Sequence, residues 1–193
     1  SIDGLDVMRM GLNDLRRKIP IIPQEPVLFK GTIRTNLDPF GQYEDAKLWN
    51  ALKCANLKDS VEEMEKKLET EVLENGSNYS LGQKQLFCLA RAVLNQSKLL
   101  VFDEATASMD SQTDAEIQKT IREVFADRTI LTIAHRLETI IDSDRILVMD
   151  AGNVLEFDTP AKLLSDPNSS FTKLVDQTGP ETSASLKRIA FAK

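Results

Sequence analysis

The chain has 193 residues and only eight glycines, none followed by a lysine, so the pattern G-x-x-x-x-G-K-[ST] occurs nowhere in it. That pattern is a loop whose backbone N–H groups cradle phosphates and whose lysine reaches the outer ones. Cysteine is scarce as well. Cys54 and Cys88 fall in helix-like stretches without metal-ligand spacing, which reads as two reduced, buried thiols of a cytosolic protein rather than as a disulfide. No run approaches the roughly 18 apolar residues that a membrane-crossing helix needs, and the first residues lack the pattern of a signal peptide. Positive charge is in deficit, with a formal net charge of −6, which argues against a chain whose main task is gripping nucleic-acid phosphates. Histidine occurs once, at position 135. What remains is ordinary for a globular protein: 41% apolar and 28% charged residues, enough for one domain or one domain with a small subdomain.

The most informative stretch is 77–110. Ser80 followed three residues later by Gln83 is a capping box, which predicts a helix start. Leu86, Leu89, Ala90, Val93 and Leu94 then recur at helical spacing and make one apolar face. After Asn95, Gln96 and Ser97, the run Leu99, Leu100, Val101, Phe102 predicts a central parallel strand. Asp103 and Glu104 stand at its carboxyl end, where open α/β sheets place their ligands.

Elsewhere the pattern is helix at 12–18, strand at 19–22 with Pro20 restricting it to an edge or a bulge, and a proline-punctuated loop at 23–29. Residues 43–55 and 59–68 predict helices, and the run Glu62, Glu63, Met64, Glu65, Lys66, Lys67 reads as a solvated helix face with i,i+4 pairs. Ser111 to Asp114 repeats a capping pattern, with Ile117, Ile121, Val124 and Phe125 as the apolar face that follows. A strand at 128–133 leads into Ala134, His135 and Arg136. Two further strands, 146–149 and 154–157, flank the turn Asp150, Ala151, Gly152, Asn153 as a hairpin. Thr159-Pro160 opens a helix, another begins at Phe171, and Gly179-Pro180 ends it, so that 179–193 is expected to be a flexible tail.

These motifs carry a resemblance. Tyr79-Ser80-Leu81-Gly82-Gln83 resembles the signature motif of ATP-binding cassette (ABC) proteins, 99–104 resembles their Walker B strand with its glutamate, and Ser108-Met109-Asp110 resembles their D-loop. Gln24 stands where the family carries its Q-loop, His135 where it carries its H-loop, and Thr70 to Gly76 looks like the short loop that exporters carry before the signature. The phrases at 22–29 and 36–40 are similar to the C-terminal nucleotide-binding domain of the multidrug-resistance-associated, or C-subfamily, exporters. Leu81, in place of the first of two glycines, fits the same subfamily, where such a signature serves the weaker, mainly nucleotide-holding site.

The resemblance implies an α/β fold of the P-loop NTPase (ABC ATPase) type with its N-terminal part missing, a partial nucleotide-binding domain at 1–178 and a helical subdomain at about 38–95. It implies ATP and Mg²⁺ as cofactors. Asp103 would hold Mg²⁺ through its water shell with Gln24 as a second ligand, since magnesium prefers oxygen donors and keeps several waters. Glu104 would polarise or deprotonate the attacking water, and His135 would contact the γ-phosphate. Ser80, Gly82 and Gln83, at a positive helix end, would face the nucleotide of an opposing domain in a head-to-tail dimer, together with Asp110. A bland reading stands beside this one, because Ser80 and Gln83 would cap the helix in any case.

The expected partners are a second nucleotide-binding domain and the transmembrane domains of the same transporter, at the cytoplasmic face of a membrane, and no nucleic acid. The expected function is the ATPase module of an exporter of organic anions, conjugates or drugs, inactive alone for want of the phosphate loop. The alternative is a non-hydrolytic, nucleotide-responsive regulatory module of the same subfamily. A soluble ABC ATPase of DNA repair or translation is disfavoured by the exporter-like loop and the acidic charge.

Overall fold

The computed structural model describes residues 1–103 and 111–192. The chain forms two compact units, Ser1–Ile133 and Ala134–Lys193, each with its own apolar cluster.

The first unit is built on a three-stranded parallel sheet in the order β1 (Ile21–Ile22), β4 (Leu99–Asp103), β5 (Thr129–Ile133). Ile22 pairs with Phe102 and Asp103 with Ile133. Pro20, which has no N–H to give, sits just before the edge strand and only accepts, from the Val101 N–H at 3.0 Å. One face of the sheet buries Ile22, Leu100 and Phe102. The other leaves Ile21, Leu131 and Ile133 at 61%, 52% and 51% exposure. β4 is therefore central, as its apolar run predicts, but Leu99 and Val101 are only half-buried because their face carries no packed helix among the described residues.

Around the buried face lie α2 (Ile33–Leu37), α3 (Asp45–Cys54), α4 (Lys58–Glu62), α5 (Leu81–Leu94) and α6 (Ser111–Val124), while α1 (Leu12–Lys18) precedes the edge strand and adds no residue to the core cluster. A small antiparallel pair, β2 (Gly31–Thr32) with β3 (Glu71–Val72), joins the segment after Gln24 to the segment before Ser80. Helix α4 is shorter than its sequence pattern predicts. The chain leaves the helix after Glu62 and takes Lys67 at φ +47°, which brings Leu68 into the core and Met64 against it. The i,i+4 pair that forms here is Lys58 with Glu62, at 3.7 Å, reaching back from the first residue of the expected charged run.

The second unit holds α7 (Leu137–Ile140), the hairpin β6 (Ile146–Asp150) and β7 (Asn153–Asp158), α8 (Pro160–Leu164), α9 (Ser170–Asp176) and α10 (Pro180–Ala192). The two-residue turn places Ala151 at φ +46° and Gly152 at φ +80°, the mirror-image turn that matches strand twist. The expected flexible tail at 179–193 is corrected: Pro180 starts α10 instead of only ending α9. Ser183, Leu186 and Ala190, at helical spacing, are buried in the second cluster or beside it, and Lys187 Nζ meets Asp176 at 2.6 Å.

Candidate functional site

Helix α5 begins as its capping box predicts. Gln83 N–H donates to Ser80 Oγ at 3.2 Å, and Ser80 N–H donates to Gln83 Oε1 at 3.0 Å. Tyr79 enters the turn edge-on to Phe87, with ring centroids 5.2 Å apart, which fixes the approach of the chain to the cap. Two of the four N–H groups that a helix start leaves without partners, those of Leu81 and Gly82, donate to no acceptor among the described residues. Gly82 and Gln83 are half-buried and Ser80 is exposed, so the positive helix end is open to solvent. Ser80 and Gln83 are thus engaged with each other, and an anion arriving here would meet the two backbone donors.

Asp103 closes β4 half-buried, and Gln24 lies exposed in the loop two residues past β1. Because Ile22 is level with Phe102 in a parallel pair, both leave the sheet at its carboxyl edge, Gln24 one residue beyond the level of Asp103. Both offer oxygen donors. Among the described residues no group of three or more His, Cys, Asp or Glu gathers into a metal cage. A sparse set of one carboxylate and one amide still suits Mg²⁺, which keeps several waters. Glu104 and Asp110, with Ser108 and Met109, lie outside the described residues. His135 is exposed, two residues after β5, and belongs to the second unit. The structure therefore brings Gln24 and Asp103 to one sheet edge and sets Ser80, Gly82 and Gln83 together at one helix end.

Sequence reading passed over Arg91 and Asn36. Arg91 donates to Val27 O at 2.7 Å, Asn36 O at 2.6 Å and Asn36 Oδ1 at 2.7 Å. Asn36, 4% exposed, also receives the Phe29 N–H at 2.8 Å and returns its amide to Phe29 O and Thr32 O. A single cation interrupting the buried run 87–94 was the available signal.

Comparison with known proteins bears on this geometry. The profile of the family described as ABC transporter matches residues 1–107. The chain is 55% identical over 192 residues to ABC transporter C family member 3 of Dictyostelium discoideum, covering 100% of this chain and 14% of that protein. It is 53% identical over 189 residues to ATP-binding cassette sub-family C member 4 of Homo sapiens, with 98% and 14% covered. It is 54% identical over 190 residues to the probable multidrug resistance-associated protein lethal(2)03659 of Drosophila melanogaster, again with 98% and 14% covered. The chain thus spans about a seventh of the length of these curated relatives. Among solved structures, a bacterial Atm1-family ABC exporter with ATP bound superposes with a TM-score of 0.81 at 35% identity, covering 92% of this chain and 31% of that one. Family, fold and relatives agree: the chain belongs to the ABC transporter family, among the C-subfamily, multidrug-resistance-associated members, and has the α/β fold of their ATP-binding domains.

Proposed function

We propose that this chain is part of the ATP-binding and ATP-hydrolysing module of an ABC exporter that drives efflux of organic anions, conjugates or drugs across a membrane. The observation that supports it is the open N-terminus of α5, where the Leu81 and Gly82 N–H groups meet no acceptor among the described residues at the positive end of a 14-residue helix. In this reading Ser80, Gly82 and Gln83 receive the γ-phosphate of a nucleotide held by a second nucleotide-binding domain in a head-to-tail dimer, with Asp110 at the same junction. Gln24 and Asp103 hold Mg²⁺, Asp103 partly through water. When bound, Mg²⁺ supplies charge neutralisation at the phosphate oxygens. Glu104 orients the attacking water and accepts its proton, and His135 donates a hydrogen bond to the γ-phosphate. Such a base contributes on the order of 10²–10⁴-fold.

The phosphate loop that this sequence lacks comes, in the proposal, from polypeptide upstream in a longer transporter. The exposed face of Ile21, Leu131 and Ile133 supports this, because a parallel sheet is ordinarily covered on both faces. The domain then runs through α10, to residue 192, with its helical subdomain at about 38–95, lying at the cytoplasmic face of the membrane against the transmembrane domains of the same protein. One feature favours the regulatory alternative, a nucleotide-responsive module without hydrolysis: Leu81 occupies a position where a glycine would let a phosphate approach the backbone more closely.

The test is ATP binding and turnover by this chain, alone and extended upstream through a phosphate loop. The expected result is turnover by the extended form only, lost on Glu104→Gln with ATP binding retained. Binding without turnover by the extended form would establish the regulatory alternative. Turnover by the short chain would overturn the requirement for the loop.

A further inference from the structure

We propose that Arg91 is a positioning residue, which holds the loop carrying Gln24 against helix α5 and so sets the reach of Gln24 towards the sheet edge. The assignment deepens the proposed ATPase reading and rests on it for its kinetic consequence, but the tie itself is a matter of geometry.

Among the described residues little else fixes the backbone of this loop, apart from the Val27 N–H at the Cys88 thiol. Residues 23–29 belong to no helix or strand, and Pro23 and Pro26 remove two backbone donors. Leu28 is the apolar anchor, fully buried, with its side chain beside Gly76 in the turn before the signature. On either side of Leu28 the backbone is pinned by the Arg91–Asn36 pair, through Val27 O on one side and through the N–H and O of Phe29 on the other. Arg91 also lies over the Phe29 ring, 5.9 Å from its centroid. Beside this tie is a cavity of about 330 Å³ lined by Pro20, Pro23, Val27, Cys88, Arg91 and Asn95, so the loop does not pack continuously onto the helix. Removing the tie leaves it room to shift.

The electrostatics single out the same residue. Burial pulls the guanidinium below its ordinary range, and no carboxylate pairs with it among the described residues. A half-buried cation held by neutral carbonyls is an expensive way to pack a helix, where a leucine would fill the space. What the guanidinium provides and leucine does not is three directed donors to one loop and to the residue that clamps it. Arg91 stands 11 residues along α5 from Ser80, on the same rigid helix, so the loop of Gln24 and the signature end share one support.

Lysine keeps the charge and loses the fork. Arg91→Lys in the 193-residue chain is expected to speed amide exchange of Phe29 roughly tenfold or more, while the Leu89 and Ala90 amides of α5 keep their protection. Arg91→Gln removes the charge and shortens the side chain, so that Val27 O and Asn36 O lose the guanidinium. It should loosen Phe29 to a similar degree, and it serves as the second variant if Arg91→Lys does not fold.

In the chain extended upstream through a phosphate loop, Arg91→Lys should lower kcat about tenfold at unchanged KM for ATP. The effect should vanish in a Gln24→Ala background if Arg91 acts through Gln24. Unchanged Phe29 exchange overturns the proposal. So does a kcat loss that adds in full to that of Gln24→Ala. If the extended wild type does not turn over ATP, the ATPase reading fails, and the exchange result alone decides whether Arg91 holds the loop.

Discussion

At Gly76 the chain turns at φ +62°, and a Cβ there would stand 2.9 Å from both Cβ and Cδ1 of Leu28. Two independent constraints meet on one residue: a left-handed backbone that disfavours any side chain, and a core leucine that cannot retreat. Gly76→Ala is expected to destabilise the first unit by about 1–3 kcal/mol, read as a lower urea midpoint. An unchanged midpoint would mean that Leu28 repacks freely and does not anchor the loop. At this scale the sequence was legible wherever a residue acts on its near neighbours. The Ser80–Gln83 box formed as its three-residue spacing dictates, and Thr159 caps α8 beside Pro160. It was not legible at Arg91, whose partners lie 55 and 64 residues away. Nothing local in the sequence distinguishes an arginine facing water from one facing carbonyls.

Among the elements, α9 shows how a strand residue can hold a helix in place. Glu156 on β7 accepts from the N–H groups of Ser170 and Phe171 at 2.6 and 3.1 Å, and from Ser169 Oγ at 2.9 Å. Burial pushes its carboxyl up, but these donors outweigh that and hold it below the usual glutamate range. Folding therefore favours the carboxylate. The stabilisation is complete above the ordinary glutamate pKa and is lost as pH falls through the lowered folded value. Glu156→Gln should unfold more easily than wild type at neutral pH, and the two curves should converge on acidification, as followed by circular dichroism in a pH series. A gap that stays constant with pH would assign the effect to packing. Element type was readable for α1, α5 and the β6–β7 hairpin, whose periods and turn residues agree with one another. Helix length was misread at α4 and element type at α10, for opposite reasons. Burial of Leu68 drew the chain out of a helix that its charges would have continued, and Pro180 opened a helix where a proline after a glycine reads as an end.

For the molecule as a whole, the two units keep separate apolar clusters, one around Phe87, Phe102 and Phe125, the other around Phe171, Val175 and Leu186. Leu186→Ala removes most of a buried side chain from the smaller cluster and should cost about 2–4 kcal/mol there. Hydrogen exchange should report the loss in α8, α9 and α10 and leave α5 and β4 protected. Loss of protection across both units would show that they unfold as one.

The sequence alone determined the local grammar of this protein: the capped signature-like helix, the apolar strand ending in Asp103, the hairpin, and through their order the family resemblance that comparison bore out. Those features are set by interactions within a few residues, and spacing encodes them directly. Tertiary structure alone decided which residues far apart in the chain come together: Gln24 and Asp103 at the same carboxyl edge of one sheet, Arg91 on Val27 and Asn36, and α10 folded onto α8 and α9. These depend on parallel register, on burial and on which face finds a cover. Such quantities belong to the packed chain and are written in no single segment of it.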